Sequence, residues 1–294
     1  MAFRKILVPL DGSEIAEKAI PYARAASRKR ESTVTLLTVI GASEERDQPM
    51  EAYLAEKAEA LESEGVRVST AVARGEPARE IVEFADENAM DLIVISSHGY
   101  SGIKRRIIGS VAQEVLHGTC VPVLLVKPGD AKPGEVEFRK VIVALDGSPF
   151  SETSILYAEQ LIKGAGAEVI LLRVSDPPMV PPTWSRDAES HRREYQQRMT
   201  AELQQQAVEY LEKAKGGFGR KRIKVRPHAV VGTAAETIME LAQKEKADVV
   251  ALTTHGRSGV SRWVHGSVAS KIAQECRRPV LLVRPCPPER PRPK

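Results

Sequence analysis

The chain is poor in aromatic residues: Phe, Trp and Tyr make up 4% of its 294 residues. Its cores must therefore be aliphatic, and a hydrophobic content of 42% is enough for that. Cysteine is scarce too. Cys120, Cys276 and Cys286 form an odd, unpatterned set, which argues for a reducing compartment and against a disulfide framework. Cys120 and Cys276 each precede an apolar run and read as small buried thiols. No His/Cys/Asp cluster has metal-ligand spacing. No apolar run reaches the roughly 18 residues of a membrane helix. The chain enters an apolar run at Phe3–Pro9 with no signal-peptide pattern, so a cytoplasmic location is expected. Charge of one sign is also missing as a block. The net charge is +4, and the basic clusters at Arg24–Arg30, Lys104–Arg106 and Arg220–Arg226 are interleaved with acids. They read as solvated faces or turns, not as a nucleic-acid surface.

Catalytic signatures are missing as well. There is no G-x-x-x-x-G-K-[ST] loop, no kinase motif set, no G-x-G-x-x-G after a strand and no G-x-S-x-G elbow. A dedicated catalytic activity is not expected.

What is present is a repeat. Arg4–Ser13 reads RKILVPLDGS and Arg139–Ser148 reads RKVIVALDGS. Ser96–Val111 reads SSHGYSGIKRRIIGSV and Thr253–Val268 reads TTHGRSGVSRWVHGSV. A strand-like VPVLLVKP (121–128) or RPVLLVRP (278–285) then closes each half. Two matched motifs in the same order indicate duplication. The expected organisation is a first domain over residues 1–128, a linker over 129–138, a second domain over 139–286 and a tail over 287–294. Arg4 and Arg139 are 135 positions apart, but Ser96 and Thr253 are 157 apart. The second half thus carries an insertion, about 175–198. It begins Pro-rich and leads into a polar helix over roughly 188–215. It leaves the second strand of its half at the ligand end, which makes it a candidate lid.

In the first half, near-continuous aliphatic runs fall at 5–9, 33–40, 66–73, 92–96 and 121–126. Helical patterns fall between them at 13–28, 50–63, 78–88 and 109–117. Strands apolar on both faces, alternating with helices, predict an α/β fold with a doubly wound, parallel, five-stranded sheet in each half. Ligands bind such sheets at the carboxyl ends of strands, near the switch in strand order.

Those ends carry the candidate residues. The first strand ends in Pro9-Leu10-Asp11-Gly12-Ser13, and the fourth in Ser96-Ser97-His98-Gly99, followed by Gly109-Ser110 at a helix start. Glycines permit close backbone approach and positive φ. The helix start offers unpaired N–H groups and the positive dipole end, a cradle for phosphate. Two plainer readings compete: Ser110 as an N-cap and Gly99 as a turn residue. Asp11 and Asp146 fit either a helix cap or a carboxylate facing ribose or a phosphate-bound metal. His98 and His255 fit either a phosphate contact or a loop brace.

With these motifs, both halves resemble the universal stress protein family in its tandem form. ATP-binding members show G-x2-G-x9-G-[S/T]. Gly99 and Gly109-Ser110 match its last two glycines and hydroxyl, as do Gly256 and Gly266-Ser267. The first glycine is replaced by Ser96 and Thr253. The resemblance implies an adenine nucleotide α-hydrolase-like fold. It also implies ATP as ligand, with Mg2+ or Mn2+ on the phosphates near Asp11 and Asp146. Pro9, Leu10 and Asp11 would border the ribose and metal-phosphate region, and Val39 would meet adenine through its backbone. Ser97, His98, Gly99, Gly109, Ser110 and Val111 would line phosphates and ribose. The second-half counterparts are Ala144, Leu145, Asp146, Val174, Thr254, His255, Gly256, Gly266, Ser267 and Val268. The resemblance further implies pairing of the two domains through their last strands about a pseudo-two-fold axis, and it leaves a homo-oligomer open. A nucleotide-binding stress or regulatory protein is the leading reading. A ligand-independent scaffold and a slow ATPase are the alternatives.

Overall fold

The computed structural model describes residues 3–27, 31–41, 47–98, 108–127, 136–162, 166–179, 189–218, 223–254 and 266–284. In the first half, strands β1 (Lys5–Pro9), β2 (Thr33–Ile40), β3 (Arg67–Arg74), β4 (Leu92–Ser96) and β5 (Val123–Val126) alternate with helices. These are α1 (Glu14–Glu17), α2 (Ile20–Ala26), α3 (Asp47–Ser63), α4 (Pro77–Glu87) and α5 (Ser110–Gly118). The second half repeats the plan with β6 (Lys140–Ala144), α6 (Pro149–Leu161), β7 (Glu168–Ser175), α7 (Glu189–Ala214), β8 (Lys224–Val231), α8 (Ala234–Lys244), β9 (Val249–Thr253), α9 (Ser267–Glu275) and β10 (Val280–Val283).

One helical pattern, 13–28, is two helices. The break falls at Lys18–Ala19, and Pro21 sits in the first turn of α2. Proline has no N–H to donate and its ring crowds the carbonyl four residues back, so α1 cannot run on through it. In the second half the matching helix has its proline at the first turn, Pro149, and α6 is uninterrupted.

The ten strands form one sheet in the order β3-β2-β1-β4-β5-β10-β9-β6-β7-β8. Pairing is parallel within each half. At the centre β10 pairs antiparallel with β5, Leu281 opposite Leu124. Each half thus covers the other's apolar edge, which would otherwise invite association. The two predicted five-stranded sheets are therefore one continuous sheet, joined at the predicted last strands.

Successive strand residues face opposite layers, as a pleated strand requires. Ile6 and Val8 pack with Leu54, Ile155 and Leu211, beneath α1–α3, α6 and α7. Leu7 packs with Ile81, Val115, Ile238 and Ile272, beneath α4, α5, α8 and α9. Burial on both faces explains the unalternating aliphatic strands.

The few aromatics are placed at the seam. Phe3 stacks on Tyr157 of the other half, centroids 6.4 Å apart and planes 13° apart. Tyr22 meets Phe138 at 6.4 Å and 43°. These are repeat-related positions, so each half lends a Phe to the other half's Tyr. On the opposite layer Lys127, just after β5, donates to the carbonyls of Ala273 and Gln274 at the end of α9. Arg284, just after β10, donates to the carbonyl of His117 near the end of α5.

Cysteine meets expectation at Cys276 and departs from it at Cys120. Cys276 is free and buried. Cys120 is exposed and disulfide-bonded, with its partner outside the described residues. Cys120 follows the C-cap of α5 at an open turn, and nothing in its local sequence distinguishes that turn from a buried strand entry. Among the described residues no helix is long and apolar enough to cross a membrane.

Candidate functional site

A cleft opens at the carboxyl ends of the strands in each half, beside the switch between β1 and β4 or between β6 and β9. The first has a volume of about 350 Å³ and is lined by Pro9, Leu10, Asp11, Val39, His98, Gly109, Ser110 and Val111 among others. The second, about 250 Å³, is lined by Ala144, Leu145, Asp146, Val174, Thr254, Gly266, Ser267 and Val268 among others. These are predicted site residues from segments far apart in sequence. Ser97 is fully buried and does not line the first cleft. Gly99, His255 and Gly256 lie outside the described residues, as do Lys104–Arg106, Trp184, Cys286 and the tail.

The Asp-Gly-Ser turn builds one wall. The N–H and hydroxyl of Ser13 both donate to Asp11 Oδ1, at 3.0 and 2.6 Å. Ser13 Oγ in turn accepts from the N–H of Ala16 at 3.1 Å, capping α1. The second half repeats this: Ser148 donates twice to Asp146 Oδ1, at 2.8 and 2.7 Å, and accepts from Ser151 N–H at 3.2 Å. The cap is thus the serine, and the aspartate orients it. Gly12 and Gly147 between them have φ of +81° and +88°, a region where a side chain is strained.

The helix start builds the opposite wall. Gly109 is the N-cap of α5 with φ −60°, and Gly266 is the N-cap of α9 with φ −52°. Neither glycine is there for a left-handed backbone. Each leaves the helix start without a side-chain cap, and the first-turn residues Ser110, Val111, Ser267 and Val268 line the clefts. Ser110 and Ser267 are first-turn residues, which rules out the N-cap reading. The N–H of Gly109 donates to Ser97 O at 2.7 Å, and that of Gly266 to Thr254 O at 2.8 Å. These bonds pin each helix start to the strand exit. Ser97 Oγ lies 3.0 Å from His98 Nδ1, a brace for a ring that also lines the cleft.

The floor is apolar and was missed in the sequence: Leu37, Ile81 and Ile95 in the first cleft, Leu172, Ile238 and Leu252 in the second. Pro77 and Ala234, opening α4 and α8, also line the clefts. The aligned stretches Gly75-Glu76-Pro77-Ala78 and Gly232-Thr233-Ala234-Ala235 were the available signal.

Behind the Asp-Gly-Ser turns the halves diverge. In the first, Tyr53 of α3 donates to Glu17 Oε1 at 3.1 Å. Burial, with Glu17 next to the hydroxyl, pushes the Tyr53 phenol well above its usual range. In the second, burial, with Glu152 nearby, pushes Tyr210 up to about 12. The guanidinium of Arg173 lies 4.7 Å from the Tyr210 ring centroid. Its Nη1 stands 2.9 Å from where a Cβ on Gly147 would be. The repeat position in the first half is Thr38. The second turn is thus backed by a cation from a position that is threonine in the first half.

Comparison with known proteins agrees with the repeat. The model of the Universal stress protein family matches residues 2–127 and again 137–284. A universal stress protein of Mycolicibacterium smegmatis is 26% identical over 304 residues, covering 95% of this chain and 97% of that one. A universal stress protein of Methanocaldococcus jannaschii is 32% identical over 140 residues, covering 42% of this chain and 82% of its own. A crystal structure of a universal stress protein from Archaeoglobus fulgidus superposes with a TM-score of 0.70 at 24% identity, covering 95% of this chain and 98% of that one. That likeness bears on the fold.

Proposed function

The chain belongs to the universal stress protein family, and on that premise we propose that each half binds an adenine nucleotide, ATP, as a regulatory ligand in a stress response. The observation that carries the reading is the duplicated cleft with an uncapped helix start on one wall and an apolar floor beside it. An uncapped helix N-terminus favours phosphate oxygens through its unpaired amides and its dipole. An apolar floor with a few polar groups suits a base and sugar. In this reading Val39 and Val174 meet the adenine. Pro9-Leu10-Asp11 and Ala144-Leu145-Asp146 border the ribose. Gly109, Ser110 and Val111, with Gly266, Ser267 and Val268, hold the phosphates. His98 and Thr254 border them, as would Gly99, His255 and Gly256.

The donor set fits a phosphate-bound Mg2+ or Mn2+. Such an ion takes one or two carboxylates together with phosphate oxygens. Asp11 and Asp146 each present one carboxylate at a cleft, its Oδ1 accepting from the serine two residues on. When bound, the ion would offset phosphate charge.

Thermal melting tests the reading. Mg-ATP at millimolar concentration raises the melting temperature, because a ligand that binds only the folded state stabilises it by mass action. Gly109→Val with Gly266→Val removes the rise. Both glycines have negative φ, so valine is tolerated by the backbone and its side chain occludes the helix start. No shift in the wild-type protein at millimolar ATP counts against the proposal. The scaffold reading has one observation in its favour: from Ser190 to Gln206, α7 has no buried residue. It predicts partner capture that nucleotide leaves unchanged.

A further inference from the structure

Ser96 closes β4 at the floor of the first cleft and is 4% exposed. Its Oγ has no hydrogen-bond partner among the described residues. Four side-chain atoms of the described residues share that condition, and of the four residues that carry them Ser96 is the one that lines either strand-end cleft. A buried hydroxyl left unpaired forfeits the hydrogen bonds it made to water and gains none in return. Glycine, the residue the family pattern puts at this position, would carry no such cost. Among the described residues the strand exit is held by backbone bonds from Ser97 N–H to Val126 O and from Gly109 N–H to Ser97 O. The group is polar, rigidly placed on a strand end, and shares its cleft with His98 and the open start of α5.

We propose that Ser96 is a specificity-determining residue of the first cleft, its hydroxyl donating a hydrogen bond to a phosphoryl oxygen of the bound nucleotide. The proposal rests on the nucleotide reading given above and deepens it. The hydroxyl has a free donor, and a phosphoryl oxygen is an acceptor that carries charge, the pairing that gives the stronger class of hydrogen bond. Adenosine, which lacks the phosphate, gains nothing from Ser96. The first cleft therefore selects phosphorylated nucleotides over the nucleoside through a side chain as well as through the helix start. The second cleft differs at this point. Thr253 takes the matched position, adds a methyl group and is not without a partner. The two halves are thus expected to discriminate between nucleotide and nucleoside to different degrees.

The experiment uses the full chain carrying Gly266→Val, so that calorimetric titration reads the first cleft alone. In this background Ser96→Ala weakens ATP binding about tenfold or more and leaves adenosine binding unchanged. In the absence of ligand, the same substitution holds or raises the melting temperature, because an unsatisfied buried hydroxyl has been removed. A merely structural serine would behave in the opposite way, losing stability and keeping ATP affinity. Unchanged ATP affinity, as when a water is the hydroxyl's only partner, overturns the proposal, and so does an equal loss for ATP and adenosine. If the Gly266→Val protein with Ser96 intact binds no ATP, the nucleotide reading of the first half itself has failed, which is a distinguishable result.

Discussion

Ser13 and Ser148 show how one hydroxyl serves fold and site together. Each caps a helix and receives its orientation from an aspartate that lines a cleft. Replacing an N-cap serine by alanine costs about 1 kcal/mol. Ser13→Ala is expected to cost that much in chemical denaturation, and Ser148→Ala more, because Ser148 is buried. The Asp-Gly-Ser pair was legible from the repeat, but its hydrogen-bond order was not. The sequence leaves open whether the aspartate or the serine caps the helix, since both residue types do so. The role of Gly109 and Gly266 was legible only in part. Their place at a helix start could be read, whereas their negative φ is a backbone fact that no residue type encodes. Ser96 could be seen to replace a glycine, but its unpaired hydroxyl depends on neighbours that come together only in the fold.

At the scale of elements, the strands were the most legible, because aliphatic runs buried on both faces leave a plain pattern. The split of α1 from α2 could have been read from Pro21. The cross-half anchors could not, because Lys127 and Arg284 look like ordinary strand-end cations until β5 and β10 are paired. Lys127 gives a pH prediction. Burial lowers it to about 8 from the ordinary lysine value. Between about pH 8 and 10.5 the unfolded chain therefore binds more protons than the folded one, and stability rises with pH. Below about 8 both states are protonated and the full penalty of the buried charge applies, offset by the carbonyls of Ala273 and Gln274. Lys127→Met should remove this contribution to the slope. The difference between wild type and variant should change by on the order of 3 kcal/mol across that window, as read by urea denaturation at successive pH values. A pH-independent difference would contradict it.

At the scale of the molecule, the scarcity of aromatics gains a meaning. Four of them, Phe3, Tyr22, Phe138 and Tyr157, form two reciprocal pairs across the seam. Composition could give their number but not this placement, which is non-local in sequence. Phe138→Ala removes a buried ring and is expected to cost about 3–5 kcal/mol. Because the sheet is continuous through β5 and β10, that loss should lower the stability of both halves in one cooperative transition. Scanning calorimetry checks this: two separated transitions, with one unmoved by the substitution, would contradict it. The duplication also produces unlike sites. The second half has Arg173 where the first has Thr38, Thr253 where the first has Ser96, and a longer helix before its third strand.

Whether both clefts bind an adenine nucleotide is read from the stoichiometry of ATP per chain by equilibrium dialysis with Mg2+. Two ATP are expected for the wild-type chain, one each for Gly109→Val and Gly266→Val, and none for the double variant. A wild-type chain that retains no ATP at millimolar concentration, or a double variant that binds as the wild type does, would contradict this expectation.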